Sequence, residues 1–508
     1  MPKAMRFLLN NKAQSIFIAI FFVALFSALA FQGSRGLYDR DETRYSECAR
    51  EILVTGSWLV PLRNFEPHLT KPPLTYWAIA ASMAVIGINE WGARIPNAIA
   101  FSITVVVIGL IASRLFGRRY GPWASVIYLT SLVPFAASNI VTTDTLLVMW
   151  EVLSIWSFLA GYQAATRERA LWWFSLMGLF WGLGFLTKGP AVFPVGAATF
   201  IFWLLRRREF RAFPFGILPT LVFLSTWLWW YLAICLKYPW AFDLIMREQV
   251  VGRLFSSEFH RNSAWYAPFY LYLPILALGL FPWNIKLLQW VSRKRPSSLL
   301  DLLKASGPEH KFVLLWFSVP VLIFSLAKSR LPLYILPAFA PMAILAALAL
   351  VDLKQRRGPL RDPVALCTLI VLISLKYGIT FFHPPQDARA MYERFSTHLA
   401  TISEIDALNG TYLDGLSFYS GKRVEYLPKP SLFCAAPNGA SSPWDEEFFE
   451  LKKVPEVFVL DLKKKDRIAY FQSKGLVLEP LAKFYRLGLF RVGERAGENR
   501  PEKKGPNT

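Results

Sequence analysis

The chain has 508 residues, of which 54% are hydrophobic, 16% are aromatic and only 18% are charged, and its mean hydropathy is +0.35. Soluble domains carry about 25% charged residues and do not need apolar runs of about 20 residues. This composition excludes a wholly soluble protein. The formal net charge of +21 accompanies apolar runs without an RNA- or DNA-binding signature, so we expect contact with anionic membrane lipids and no nucleic-acid partner.

Apolar runs predict a polytopic α-helical membrane protein with about 11–13 transmembrane helices. A further apolar stretch from Leu74 to Ile88 is short for a crossing of about 30 Å, so we place it at the interface or as a tilted segment. The candidate spans are roughly 13–32, 94–113, 122–138, 146–163, 171–186, 190–205, 212–236, 268–290, 311–327, 331–351 and 363–381.

Loop charge predicts the orientation of these spans. With a cytoplasmic N-terminus and no crossing by 74–88, the basic loops that contain Arg114, Arg167, Arg206, Arg293 and Lys354 all face the cytoplasm, as the positive-inside rule requires. The segments 32–73, 237–267 and everything after 382 then lie outside. We therefore expect a membrane domain over 1–381, with two external loops at 32–73 and 237–267.

The C-terminal segment has a different character. Alternating stretches such as Val457–Asp461 and Thr411–Gly415 predict a small α/β domain over 382–493. Residues 494–508 are polar and rich in charge, Gly and Pro, so we expect a disordered tail.

The first external loop begins YDRDETRYSECARE, in which Asp41, Glu42, Arg44 and Tyr45 lie together. From Tyr45, nonpolar residues recur at i, i+3, i+4, i+7 and i+8, which predicts an amphipathic helix at the membrane surface. Asp41 at its start is a candidate to accept a proton or to hold a charged substrate. The alternative is that Asp41 caps the helix and pairs with Arg44.

The loop ends with Lys71 ahead of Pro-Pro, where an extended approach would place the ammonium group at the depth of a lipid phosphate. Lys71 is a candidate phosphate ligand, or else an interfacial lysine that reaches toward water. Asp144, in the stretch NIVTTDT, adjoins a span with no basic residue near it in sequence, which is costly unless it is functional. A helix cap is the alternative for Asp144.

Further candidates lie on the same predicted face. Lys188 is in LTKGP, and Lys328, Arg330 and Tyr334 are in KSRLPLYILP, a composition suited to a phosphate headgroup. The long loop 237–267 adds Arg253, together with a lone His260 that is more typical of a structural role. Acids and phosphate-seeking cations on one face favour a lipid-phosphate substrate over a channel or a secondary transporter.

The stretches YDRDETRYSECARE, LTKPPLTYW, GINEWGARIPNAIA, TTDTLL, GLGFLTKGP and AKSRLPLYILP follow one another in that order. In this order they resemble the ArnT-like bacterial glycosyltransferases, which have the GT-C membrane fold and are related to protein O-mannosyltransferases. The resemblance covers roughly residues 15–350. It implies an undecaprenyl-phosphate-sugar donor used at the periplasmic face of the inner membrane, and the family's type enzyme moves 4-amino-4-deoxy-L-arabinose onto lipid A phosphates.

The resemblance also implies roles for individual residues. Asp41 matches an essential acid, Lys71 and Tyr334 match groups at the lipid-phosphate site, and Asp144 matches a second acidic position. The chain departs from the family at Thr70 and Gln249, where a Glu and a His that can ligate a metal are usual. The four cysteines have no CxxC spacing. We therefore expect no bound metal and no other cofactor.

These observations predict an inverting polyprenyl-phosphate-sugar glycosyltransferase, monomeric, with lipid A or lipopolysaccharide as acceptor. The catalytic candidates are Asp41, Asp144 and Glu42. The donor-binding candidates are Lys71, Arg44, Tyr45, Lys188, Arg253, Lys328, Arg330 and Tyr334. Two alternatives stay open, namely transfer to a protein or another glycan, and a binder or flippase of lipid-linked sugar without chemistry.

Overall fold

The structure is a computed structural model that describes residues 11–246, 262–294, 307–353, 358–400, 402, 404–408, 413–427, 457–463 and 476–494. The chain divides into two compact units. One, here called the helical unit, comprises residues 1–35, 52–61 and 67–381. The other, here called the sheet unit, comprises residues 36–51, 62–66 and 382–508. Two pieces of the first predicted loop therefore group with the C-terminal segment.

Most of the chain is helical. The helices up to residue 244 are α1 (Asn11–Leu29), α2 (Asp41–Thr55), α3 (Leu74–Ile86), α4 (Glu90–Phe116), α5 (Gly121–Leu129), α6 (Leu132–Ser138), α7 (Thr143–Tyr162), α8 (Arg167–Lys188), α9 (Phe193–Arg206), α10 (Ile217–Lys237) and α11 (Trp240–Leu244). The later helices are α12 (Ala267–Gly279), α13 (Trp283–Lys294), α14 (Pro308–Leu326), α15 (Phe339–Asp352), α16 (Pro363–Ile379), α17 (Ala388–Leu399) and α18 (Asp414–Ser420).

The protein is a multi-pass membrane protein. Within the described residues, six helices are long and apolar enough to cross a membrane, and seven if the bent pair α12 and α13 counts as one span. The predicted spans 171–186 and 190–205 both fall in one helical run, Arg167–Glu209. Helices α3 and α16 are shorter apolar helices, as is the part of α1 from Gln14 to Leu29. These criteria therefore give fewer crossings than the eleven apolar runs of the sequence.

Prolines explain two of the breaks. Residues 122–138 form α5 and α6 rather than one span, because Pro134 has no N–H to bond the carbonyl of Thr130. Trp283 Nε1 donates to Thr130 Oγ1 at 2.8 Å and stabilises the interrupted turn. The run 268–290 bends by 92° between α12 and α13, where Pro282 follows Phe281.

Small residues bring α4 and α5 into close contact. A Cβ on Gly121 would lie 1.8 Å from Ser113 Oγ and 2.6 Å from the carbonyl oxygen of Gly109. Helices in membranes gain most of their association energy from such close backbone packing. Large buried rings, including Trp283, Trp316, Phe158 and Phe312, fill the core around this seam.

The sheet unit contains a five-stranded sheet and the short pair β1 (Leu62–Arg63) and β2 (Glu66–Pro67). The sheet order is β4-β3-β5-β7-β6, with β3 parallel to β4 and β5, and with β7 antiparallel to β5 and β6. The strands are β3 (Glu404–Leu408), β4 (Arg423–Leu427), β5 (Val457–Asp461), β6 (Leu476–Phe484) and β7 (Leu487–Glu494).

The predicted fold class, a polytopic helical membrane protein with a small C-terminal α/β domain, is confirmed. Val457–Asp461 is the buried strand β5. In the stretch Thr411–Gly415, by contrast, the described residues Asp414 and Gly415 begin helix α18. The residue at 494 ends β7, and the rest of the predicted tail lies outside the described residues.

Helix α2 forms where the sequence predicts it, but it is not amphipathic in the expected way. Tyr45, Cys48 and Ile52 are buried, and so are Glu47 and Glu51. Its polar face can be buried because the charged groups on that face form hydrogen bonds and ion pairs inside the sheet unit.

We expect Gly121→Ala to destabilise the helical unit by about 1–3 kcal/mol, because the added methyl group meets a backbone carbonyl that cannot rotate away. Thermal unfolding in detergent measures this change. Gly378→Ala in α16 is the control, since a Cβ there has nothing within 4 Å. Equal midpoints for the two variants would contradict the tight α4–α5 seam.

Candidate active site

An open pocket of about 1030 Å³ lies in the helical unit. Its wall is mostly apolar, with a few charged or hydroxyl-bearing side chains among aliphatic and aromatic ones. The lining residues are Leu69, Thr70, Lys71, Pro72, Asp144, Leu147, Val148, Lys188, Gly189, Pro190, Ala191, Pro194, Trp230, Tyr231, Ile245, Ile323, Phe324, Ala327, Ser329, Tyr334 and Pro337. An apolar wall with convergent polar groups is typical of a ligand site.

Helix ends supply the polar groups. Asp144 is in the first turn of α7, where the amide dipoles favour a negative charge, and Lys188 is the last residue of α8, where they favour a positive one. The cap of α7 is Thr142, whose hydroxyl accepts from the Asp144 N–H at 3.4 Å. The carboxylate of Asp144 is therefore not needed as a helix cap.

Asp144 and Lys188 form a buried ion pair. Lys188 Nζ lies 2.5 Å from Asp144 Oδ1, and the two side chains are only 6% and 12% exposed. Lys188 Nζ also lies 4.7 Å from the centre of the Tyr334 ring, in cation–π range. The basic partner that the sequence did not show beside Asp144 comes from 44 residues further along the chain.

Lys71 enters the pocket from the loop before α3. Pro72 and Pro73 follow it, and Pro73 leads into α3 with helical backbone angles (φ −82°, ψ −16°), while the extended approach at Lys71 stays a prediction. Thr70 Oγ1 lies 2.8 Å from His68 Nε2, so the threonine that departs from the family pattern is tied to a neighbouring imidazole. The pocket thus brings together Lys71, Asp144, Lys188 and Tyr334, which come from four separate motifs.

Two candidates from the late motif do not line this pocket. Lys328 is exposed. Arg330 is 4% exposed, and its guanidinium donates to the carbonyls of Asn262 (2.7 Å), Ala264 (2.8 Å) and Ser325 (3.1 Å). The Nε and Nη1 groups of Arg330 therefore hold the backbone, and its role as a phosphate ligand stays a prediction.

The first-loop candidates lie in the sheet unit. The Asp41 side chain is 59% exposed, and its Oδ1 accepts from Arg44 Nη2 at 2.6 Å, the ion pair that the sequence left open as the alternative. Arg44 also lies over the ring of Tyr45, at 5.1 Å from its centre, and Tyr45 is buried. Glu42 is buried and accepts from the Tyr38 N–H at 2.9 Å, and its catalytic role stays a prediction. Arg253 lies outside the described residues, as do Gln249 and His260.

The structure also reveals acids that the sequence analysis missed. Burial raises the pKa of Asp39 to about 7; the hydrogen bond from Thr43 opposes this rise and the nearby Asp414 adds to it. Burial likewise raises the pKa of Glu51 to about 7, and Glu47 adds to the rise. Glu51 is in α2 and Asp39 lies two residues before it, and burial of so polar a stretch is not visible in a sequence pattern.

Glu151 is a third acid that the sequence analysis missed. It is fully buried in α7, and neither carboxyl oxygen has a hydrogen-bond partner among the described residues. Its position seven residues after Asp144 is a signal that the sequence did offer, because i and i+7 share one face of a helix.

In the parts of the chain that the structure describes, no three His, Cys, Asp or Glu side chains are grouped as a metal site requires. The predicted absence of a metal remains a prediction, because Gln249 and His260 are not among those residues.

Comparisons with known proteins point to one family. The family described as dolichyl-phosphate-mannose-protein mannosyltransferase matches residues 70–230. An undecaprenyl phosphate-alpha-4-amino-4-deoxy-L-arabinose arabinosyl transferase of Photorhabdus laumondii is 31% identical over 387 residues, which are 73% of this chain and 67% of the relative. The protein of the same name from Edwardsiella ictaluri is 33% identical over 342 residues, 65% of this chain and 58% of its own length.

A solved structure has the same fold. The crystal structure of ArnT from Cupriavidus metallidurans bound to undecaprenyl phosphate matches with a TM-score of 0.75 at 18% identity, over 95% of this chain and 98% of that one. The predicted GT-C architecture is therefore confirmed at the level of the fold. Together with the sequence relatives, this match shows that the chain belongs to the ArnT-like family of membrane glycosyltransferases.

Proposed function

We propose that this protein transfers a sugar from an undecaprenyl-phosphate-linked donor to lipid A or lipopolysaccharide, in an aminoarabinose-type reaction. The observation that carries the proposal is the pocket that combines Lys71, Lys188, Asp144 and Tyr334 with an apolar wall. Cations bind a phosphate, and the apolar wall suits the first isoprenyl units of a lipid carrier. The names of the relatives support the choice of donor.

The charges of the pocket wall fit a phosphodiester donor. The pocket wall carries two lysines, Lys71 and Lys188, and one aspartate, Asp144, which pairs with Lys188 at 2.5 Å, so two positive charges and one negative charge leave one net positive charge. The donor phosphodiester carries one negative charge, and the polyprenyl phosphate that leaves carries up to two. Lys71 therefore stabilises charge that grows as the glycosidic bond breaks.

The reaction is a direct displacement with inversion. The acceptor oxygen attacks the anomeric carbon, and the bond from that carbon to the phosphate oxygen breaks with both electrons leaving on the phosphate. A hydroxyl acceptor must lose a proton, and we assign Asp41 to accept it. A lipid A phosphate oxygen is already ionised, and Asp41 would then orient it. Arg44 Nη2, which lies 2.6 Å from Asp41 Oδ1, holds the carboxylate in position.

We place the reaction at the periplasmic face of the bacterial inner membrane, with a cytoplasmic N-terminus and a monomeric enzyme. The basic loops of the sequence support this orientation. The first-loop residues Asp41 and Arg44 are described in the sheet unit alone, so their approach to the donor phosphate remains part of the proposal.

A second acceptor class has support of its own. The mannosyltransferase family that matches residues 70–230 is described as acting on protein. Lipid A and total glycoprotein from a deletion strain, compared by mass spectrometry, separate the two classes. A sugar lost from protein alone, with lipid A unchanged, would replace the first proposal by the second. A binder or flippase without chemistry is disfavoured, because the chain belongs to a family of glycosyltransferases.

We expect Lys71→Ala to raise the donor KM and to slow transfer, because the pocket wall loses one of its two lysines. The assay is release of undecaprenyl phosphate by the purified protein over a range of donor concentrations. Lys328→Ala is the matched control, since Lys328 is an exposed lysine that does not line the pocket. An unchanged donor KM in Lys71→Ala would remove Lys71 from the phosphate site.

We expect Asp41→Asn to lower kcat by about 10²-fold or more without a change in thermal stability, because the side chain is largely exposed and its removal leaves no buried charge. Glu393→Gln, an exposed acid of α17 in the same unit, is the control. Near-normal transfer by Asp41→Asn would refute its role, while a parallel loss in Glu393→Gln would point to a general charge effect.

A further inference from the structure

We propose that the C-terminal segment of the sheet unit is a positioning element that fixes helix α2, and that Asp414 is the principal residue of this contact. This inference rests on the proposed function of Asp41 at the start of α2. It concerns three chain segments that fold together: residues 36–51, residues 62–66 and the segment after 382.

A bidentate ion pair joins the second and third segments. Arg63 Nε lies 2.7 Å from Asp414 Oδ1, and Arg63 Nη2 lies 2.8 Å from Asp414 Oδ2. The Asp414 side chain is 4% exposed and that of Arg63 is 22% exposed. A bidentate arginine–carboxylate ion pair is strong and directional. Removal of one partner leaves a buried charge without its counter-charge.

The charged residues of α2 are also bound within the unit. Arg50 donates twice to Glu47, at 2.7 Å in each case, and Ser417 Oγ of α18 donates to Glu47 Oε1 at 2.8 Å. Glu51 accepts from the N–H groups of Asn64 (2.6 Å) and Phe65 (2.8 Å). The contacts of Glu51 tie α2 to the turn between β1 and β2, and the contact from Ser417 ties it to α18, while the Arg50–Glu47 pair lies within the helix.

The backbone just before α2 is held as well. Asp39 N–H donates to the carbonyl of Gln386 at 2.8 Å, and Ala388 N–H donates to the carbonyl of Leu37 at 3.0 Å. Leu37 N–H donates to Tyr419 Oη at 2.9 Å. The start of α17 and helix α18 therefore fix the chain at Leu37 and Asp39, just before Asp41.

Helix α18 packs closely against α17 and α2 at Gly415. A Cβ on Gly415 would lie 2.2 Å from Ala388 Cβ and 2.8 Å from Thr43 Cγ2. Asp41 is thus a largely exposed carboxylate on a helix whose other acidic residues are buried and bound. A helix so extensively bound cannot reorient, and the direction of its first turn is set by the C-terminal segment.

The test separates orientation of Asp41 from donor binding. In Asp414→Asn we expect kcat to fall by about tenfold or more, with the donor KM within about twofold of the native value. The KM is spared because Lys71, Lys188 and Asp144 belong to the helical unit. Glu479→Gln is the control, since it removes an exposed pair with Arg491 at 3.9 Å in the same unit.

A second variant covers the case in which Asp414→Asn fails to fold. Ser417→Ala removes one hydrogen bond to Glu47 and leaves the ion pair in place, so it should give a smaller fall in kcat with the same unchanged KM. The double variant Arg63→Asp/Asp414→Arg exchanges the two charges and can re-form the ion pair, so it should restore part of the activity lost in Asp414→Asn. A purely structural contribution would lower the amount of folded enzyme and leave kcat per folded molecule unchanged.

The outcomes distinguish the inference from the function on which it rests. If Asp41→Asn is fully active, the proposed role of Asp41 fails. If Asp41→Asn is inactive but Asp414→Asn and Ser417→Ala both keep native kcat, the C-terminal segment does not position α2 and the inference is overturned. A rise in donor KM in Asp414→Asn would also overturn it, since the effect would then be on donor binding.

Discussion

The ion pair between Asp144 and Lys188 is the constraint around which the pocket is built. Both side chains are almost completely buried among apolar helices, where a single charge would be costly. The pair therefore requires the first turn of α7 and the last turn of α8 to remain adjacent. The stacking of Lys188 on Tyr334 extends the same requirement to the turn before α15. The positions of three helix ends thus follow from one electrostatic demand.

Membrane helices favour a site of this kind at their ends. In the apolar layer each backbone polar group must be bonded within its own helix, so free donors and acceptors occur where helices begin or end. The loop with Lys71 and the turn after Lys188 supply such positions here. The sheet unit follows a different rule, because the charged residues of α2 after Asp41 are mostly buried and bound to partners.

The sequence was informative where a short motif carries the chemistry, and uninformative where distant segments decide. Lys71, Asp144, Lys188 and Tyr334 could each be chosen from local context, and the structure places them on one pocket wall. Arg330 looked equally suitable, yet its Nη1 group bonds carbonyls 66 and 68 residues away in sequence, which no local pattern reveals. The burial of α2 could not be predicted for the same reason, since its partners are also distant in sequence. Apolar runs predicted the fold class well, but they did not predict where the predicted spans break into two helices.

The surplus positive charge of the pocket wall has a consequence for turnover. A wall that stabilises the departing phosphate dianion also retains it, since the spent carrier has more negative charge than the incoming lipid-linked sugar. Exchange of one lipid for the other, by lateral diffusion through the bilayer, then competes with chemistry as the slowest step. Release of the spent carrier thus weighs on the rate of the cycle alongside the chemistry.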